Sequence, residues 1–246
     1  WLRMRTPANV GFSFSPAGLL FPYFMGVAYK LQAAGIIGER TPLGGSSAGS
    51  IVATAVACGV PIADVRMSLS VLSENVRAGA SLNQALRTEL NRLLPDDCAE
   101  KACGRLTVCY QRVLPWPKAC SISEWSDKSD VINTVCASCN WPFFFSRWPL
   151  VWVRRGLAVD GFFTQPHRFG CPPLDAQRNV LVCALPNIKL PVDADDRIQP
   201  GHQAFSMPFL PVREWFNLAV KPGTEETFDA MVRMGEDHAR IWLTSS

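Results

Sequence analysis

Thr41-Pro42-Leu43-Gly44-Gly45-Ser46-Ser47-Ala48-Gly49 leads into Ser50 to Cys58, an Ala- and Val-rich stretch that stops at Gly59. A short apolar lead-in, a glycine–serine cluster and a small-residue run predict a strand, a sharp turn and a buried helix. Gly45-Ser46-Ser47-Ala48-Gly49 has the spacing of a nucleophile elbow with Ser47 at its tip. The requirement is steric, because a serine on a tight strand-to-helix turn needs small residues two positions to either side. Ser46 fails that test, since Ala48 stands two positions on. The Ser47 oxygen is then expected above the N-terminus of the following helix, whose free N–H groups favour developing negative charge.

Outward from this point the chain alternates strands and helices. Asn9 to Phe14 reads as an apolar strand ending in Ser15-Pro16-Ala17-Gly18. Leu20 to Ala34 reads as a helix with Pro22 in its first turn and Gly35 as its stop. Pro61 opens a further helix, and Ser81 is placed to cap Leu82 to Leu94. Asp96 to Gly104 is polar and reads as loop, while Arg105 to Leu114 alternates with the period of a strand. Ser129-Asp130 is expected to cap a helix reaching Ser138, and Leu157 to Val159 and Asn179 to Leu185 are expected strands. Pro186 to Pro211 reads as irregular, and Glu225 and Glu226 begin a last helix to about Trp242. The alternation predicts an α/β fold with a mostly parallel sheet.

With 246 residues the chain fits one domain over 1–246, with a core of about 9–185 and an irregular, then helical, C-terminal part over 186–246. Hydrophobic residues at 48% and charged residues at 18% exclude a disordered chain. A formal charge of +3, from 24 basic and 21 acidic residues, is too balanced for binding driven by counterion release, so nucleic acid is not an expected partner. Two stretches lack charge, Thr6 to Tyr29 and Thr41 to Ala63, but prolines interrupt the first and glycines the second, so no span is expected. Nine cysteines scattered through expected helices and strands read as buried thiols of a reducing compartment. Cys136-x-x-Cys139 lacks a second pair of matching spacing, so no metal is expected.

Asp160-Gly161 ends an apolar strand, where α/β proteins place their sites, and Ser15 to Leu19 lies between a strand and a helix. Ser13-Phe14-Ser15-Pro16-Ala17-Gly18-Leu19-Leu20, Gly26-Val27, Gly45-Ser46-Ser47-Ala48-Gly49 and Val159-Asp160-Gly161 together resemble the patatin-like phospholipases. Ala137-Ser138 and Pro142 resemble the segment before that family's aspartate. The Gly-Leu-Leu-Phe-Pro run is most similar to plant and algal members. The resemblance implies a three-layer α/β/α fold and a Ser47–Asp160 dyad that cleaves acyl esters of lipids without histidine, metal or cofactor. It implies an oxyanion hole at Ala17, Gly18 and Leu19. The chain departs from the family's glycine-rich loop at Pro16, which has no N–H, and at Leu20 and Phe21; Phe162 follows Asp160-Gly161.

Two other readings stand beside this one. A Ser–His–Asp hydrolase would draw on His167, His202 or His238, although loop or surface roles suit all three. A patatin-fold subunit without catalysis would serve binding or structure in a membrane-associated assembly. Trp141 to Arg155 carries no acidic residue, and Trp148, Trp152, Arg154 and Arg155 are the expected membrane- or partner-facing residues. Expected partners are a lipid surface and proteins of a larger assembly. With Trp1 as first residue, the expectation is an intracellular organelle, chloroplast or mitochondrion, reached after loss of a targeting peptide, with peripheral membrane association.

Overall fold

The computed structural model describes residues 10–190 and 196–245. Asn9, the expected first residue of the first strand, and 191–195 of the irregular segment lie outside them. The strands are β1 (Val10–Phe14), β2 (Leu43–Ser46), β3 (Leu106–Leu114), β4 (Lys118–Ile122), β5 (Val151–Val153), β6 (Gly156–Val159), β7 (Arg178–Val182) and β8 (Arg197–Ile198). The helices are α1 (Phe21–Ala33), α2 (Ala48–Ala57), α3 (Ile62–Arg77), α4 (Leu82–Leu93), α5 (Cys98–Ala102), α6 (Lys128–Ser138), α7 (Val212–Leu218) and α8 (Glu225–Ser245). They build one sheet in the order β5-β6-β3-β2-β1-β7-β8, with β4 on β3. The run β3-β2-β1-β7-β8 is parallel throughout, and β4, β5 and β6 join antiparallel. The fold is thus α/β with a mostly parallel central sheet.

β1 shows why the two faces of the sheet differ. Val10, Phe12 and Phe14 point to one face, and Gly11 and Ser13 to the other. On the large-residue side Phe14 meets Phe24 of α1 edge-on, with centroids 5.6 Å apart, and Phe12 meets Trp242 of α8 at the same distance. On the small-residue side the chain at 172–176 lies so close that a Cβ on Gly11 or Gly44 would fall 2.9 or 2.6 Å from Leu174. There Ser13 Oγ donates to Pro172 O at 2.8 Å. Over β1 and β2 the cover on this face is therefore an irregular segment, not a helix, because small residues admit a backbone at close range.

α8 repeats its buried positions at helical spacing: Phe228, Met231, Val232, Gly235, His238, Ala239 and Trp242. It crosses α1 glycine to glycine. A Cβ on Gly26 would lie 2.0 Å from Val232 O, and one on Gly235 2.1 Å from Tyr23 O. His238, expected at a surface or loop, is buried in this crossing between Tyr23 Oη at 2.9 Å and Ser206 Oγ at 3.0 Å.

Other expectations are adjusted locally. Residues 18–20 form a 3-10 turn before α1. Asp127, not Ser129-Asp130, caps α6, its carboxylate accepting the Asp130 N–H at 2.8 Å. The segment expected as loop at 96–104 contains the single turn α5, which buries Cys98 and Ala102. β4, β5 and α7 carry too few residues for a periodicity to appear in sequence. Among the described residues no helix is long and apolar enough to cross a membrane.

The crossing predicts that Gly235→Val, which drives branched carbons at the Tyr23 carbonyl, costs about 3 kcal/mol or more. The melting temperature is expected to fall by about 6–12 °C in a thermal melt followed by circular dichroism. An unchanged melting temperature would refute the close approach.

Candidate active site

β3 is the rail on which the site is assembled. Cys109 pairs with Ser46 of β2 and Ser121 of β4, and Gln111 pairs with Val159 of β6 and Ala119 of β4. β4 therefore occupies one edge of β3, and β2 and β6 share the other. β2 runs parallel to β3 and β6 antiparallel, so their C-terminal ends approach each other across the single residue Tyr110. The next residues in each strand are Ser47 and Asp160. Residues 113 positions apart in sequence thereby meet at one point of one strand edge.

Ser47 sits at φ +52° and ψ −128°, a region that costs a non-glycine residue about 1–3 kcal/mol. Its surroundings hold it there. Its N–H donates to Ser138 Oγ at 2.8 Å, and its carbonyl accepts from Ser50 Oγ at 2.6 Å. A Cβ on Gly45 would meet the Gly49 carbonyl carbon at 2.3 Å, and one on Gly49 would meet Phe14 O at 2.3 Å. The elbow glycines are thus demanded by backbone-to-backbone contact, as the spacing predicts. Gly161 is pressed in the same way, its Cβ position lying 2.3 Å from Cys109 O and 2.8 Å from Ser46 Cβ.

Asp160 is fully buried. Its N–H donates to Asn140 O at 3.0 Å, and its Oδ1 accepts the Phe162 N–H at 2.8 Å. Oδ2 has no hydrogen-bond partner among the described residues. Burial pushes the carboxyl up to about 7, and the Phe162 N–H and the Ser47 hydroxyl offset only part of that rise. Ser138 and Asn140, which steady Ser47 and Asp160 respectively, escape residue-by-residue reading because a serine ending a helix and an asparagine just beyond it have no pattern of their own.

The Ser15–Leu19 loop faces the elbow. Gly18 takes φ +55°, and a Cβ there would fall 2.1 Å from Ala219 O, so only glycine fits. The Leu19 N–H donates to Ala219 O at 2.9 Å. This corrects the expectation that Leu19 serves an oxyanion: its donor is taken by the chain preceding α8. The N–H groups of Ala17 and Gly18 carry no such bond among the described residues. A cavity of about 360 Å³ opens between this loop, Ser47 and an almost wholly apolar wall from α2, α3, α4 and the chain after α6. Its far side is Ile51, Leu72, Leu82 and Leu86, and its mouth carries Trp141, Phe144 and Phe162.

None of the three histidines bonds Ser47 or Asp160. His238 is held below its ordinary range, at about 4, chiefly by burial. Cys136 and Cys139 are buried, and no group of three His, Cys, Asp or Glu gathers among the described residues. Trp148 and Trp152 are exposed but do not line the cavity, whereas Trp141, Phe144 and the buried Phe145 do. Arg154 departs from its expected role: its Nε donates to Asp130 Oδ1 at 2.8 Å and its guanidinium stacks 5.5 Å from the Trp125 centroid. It ties the β5–β6 turn to α6, whereas Arg155, exposed like Arg154, makes no ion pair among the described residues.

A serine on a strained strand–helix turn, a buried carboxyl on the neighbouring strand end and an apolar cavity define the class of α/β proteins with an elbow-type serine site. No protein-family model matches the chain. Over 137 residues, 51% of the chain, it is 31% identical to mouse patatin-like phospholipase domain-containing protein 2. Over 177 residues, 67% of the chain, it is 28% identical to human omega-hydroxyceramide transacylase. The matches span 28% and 32% of those relatives, so the chain covers under a third of the curated relatives' length. VipD from Legionella pneumophila shares the fold, with a TM-score of 0.52 at 12% identity over 97% of this chain and 67% of that one. The chain is thus similar in sequence to patatin-like phospholipase domain-containing protein 2 over half of its length, and similar in fold to VipD.

The buried carboxyl makes a stability prediction whose sign is unusual. An unfolded chain releases this proton near the ordinary value of 3.8, and the folded one near 7. Between those values the folded state binds more protons, so stability falls as pH rises through the window. Asp160→Asn removes the effect while keeping an oxygen for the Phe162 N–H. It is expected to be more stable than wild type by about 2–4 kcal/mol near pH 8 and equal to it near pH 4, by denaturant titration. A variant less stable at both pH values would contradict the shift.

Proposed function

We propose that the protein is a serine acyl hydrolase that cleaves acyl esters of lipids through Ser47 and Asp160. The observation that carries this reading is the convergence of β2 and β6. It sets a strained serine beside a carboxyl with one free oxygen, at the end of an apolar cavity of about 360 Å³. A carboxyl near 7 is matched to taking and returning a proton at neutral pH.

In this mechanism Asp160 Oδ2 takes the Ser47 hydroxyl proton as Oγ forms a bond to the ester carbonyl carbon. The negative oxygen of the tetrahedral intermediate is received by the Ala17 and Gly18 N–H groups. Collapse breaks the ester C–O bond, and the leaving alcohol takes the proton from Asp160. Water then attacks the acyl-serine, giving a proton to Asp160; collapse breaks the acyl C–Oγ bond, Ser47 Oγ takes that proton back from Asp160, and the fatty acid leaves. The acyl chain lies in the apolar cavity. Hydrolysis and transfer to an alcohol share the acyl-serine, so the names of both kinds of relative fit this intermediate.

One observation favours the reading as a subunit without catalysis. Pro16 has no N–H and the Leu19 N–H is engaged, so the loop offers two donors. Losing one oxyanion donor costs about 3 kcal/mol where such a donor has been removed.

A fluorophosphonate probe decides between them. Wild-type protein is expected to be labelled and Ser47→Ala not. Asp160→Asn is expected to lose about 10²-fold or more of esterase activity, while His167→Ala, His202→Ala and His238→Ala retain it. The wild-type rate should rise with pH through about 7 as Asp160 ionises. Folded wild-type protein that resists the probe on lipid and in detergent would favour the subunit reading.

A further inference from the structure

The chain between α6 and β5 closes into a compact loop from Trp141 to Pro149. Asn140 Nδ2 donates to Pro149 O at 3.0 Å, drawing the ends together. Ser146 Oγ lies 3.0 Å from Asn140 Oδ1 and 2.6 Å from Trp148 O, within reach of both acceptors. Phe145 is the anchor: its side chain is buried, and its carbonyl accepts the Asn83 N–H at 3.0 Å. This bracing holds outward what a folded chain ordinarily hides. Phe143 and Trp148 are each 77% exposed, and Phe143 is held at φ +63°, a conformation that disfavours a bulky residue.

The charges around the loop select the partner. Arg147 stands between the two rings, and no acidic residue occurs between Asp130 and Asp160. Neither Arg147 nor Arg155 pairs with a carboxylate among the described residues. The apolar surface also continues inward. Trp141 and Phe144 face solvent on one side and the cavity on the other, and Phe163 stacks on Trp141 with centroids 5.2 Å apart. A protein seated there would close the mouth, whereas a bilayer would present acyl chains to it. We infer that the Trp141–Pro149 loop docks the protein onto an anionic lipid surface, with Phe143 and Trp148 entering the headgroup boundary and Arg147 meeting phosphates.

The inference rests on the proposed acyl hydrolase reading for its purpose, and the experiment separates the two. Binding is measured with Ser47→Ala protein, so turnover plays no part. The probes are phosphatidylcholine vesicles with and without phosphatidylserine, read by sedimentation and by quenching of Trp fluorescence with brominated acyl chains. Phosphatidylserine vesicles are expected to bind the protein. Phe143→Ser and Trp148→Ser are each expected to weaken binding about tenfold. Arg147→Gln is expected to weaken it about fivefold, and only on the anionic vesicles. In the Ser47 protein the same three changes should leave turnover of a soluble short-chain ester unaltered. Vesicle binding that follows the rings in a protein inactive on every ester supports docking and removes only the catalytic reading. No vesicle binding, or equal binding by the variants, overturns the inference. So does vesicle binding indifferent to the rings together with a dimer, seen by light scattering, that the same changes dissociate.

Discussion

A single strand edge organises this molecule. β3 is long enough to pair with two strands in succession along one side, β2 over its first half and β6 over its second. Because the two run toward each other, their last residues leave the ladder at the same place, and the residues that follow have nowhere to go but outward. The elbow serine and the buried carboxyl are the first to leave. β4 fills the opposite edge of β3, so the rail cannot slip without breaking pairs on both sides.

Close approach supplies the precision that pairing alone would lack. Gly45 against Gly49, Gly49 against Phe14 and Gly161 against Cys109 bring backbone to backbone at distances that exclude any Cβ. Ser138 and Asn140 complete the frame by accepting the N–H groups of Ser47 and Asp160. The cost is local: one residue in a disfavoured conformation and one carboxyl removed from water. Such costs persist only where the rest of the fold over-determines the arrangement. The helical layer does so here, with Phe12, Phe14 and the glycine crossing of α1 and α8 packed behind the strands.

The surface around the cavity divides by the same logic. Arg154 is spent on Asp130 and Trp125, inside the frame, while Arg147 and the rings beside it lie on a braced loop outside it. Composition cannot separate these two kinds of arginine. Both sit in the same acid-free stretch, and only the β5–β6 turn brings Arg154 back over α6.

The amino-acid sequence by itself determined the elements with strong local signals: the Gly-Ser turn, the apolar strand of β1, the capped α4 and the long periodic α8. It also carried the elbow, because the need for small residues on either side of Ser47 is a local steric condition. The pairing of Ser47 with Asp160 was legible only through the family resemblance, since local physics says nothing of residues so far apart. Tertiary structure decided the rest. Short strands such as β4 and β5 exist because β3 and β6 offer open edges, not because three or five residues have a preference. The Leu19 N–H is engaged by a carbonyl two hundred positions away, and His238 became a core residue through Tyr23 and Ser206. Hydrogen-bond partners and burial are properties of neighbours, and neighbours distant in sequence are set by how the strands add to the sheet.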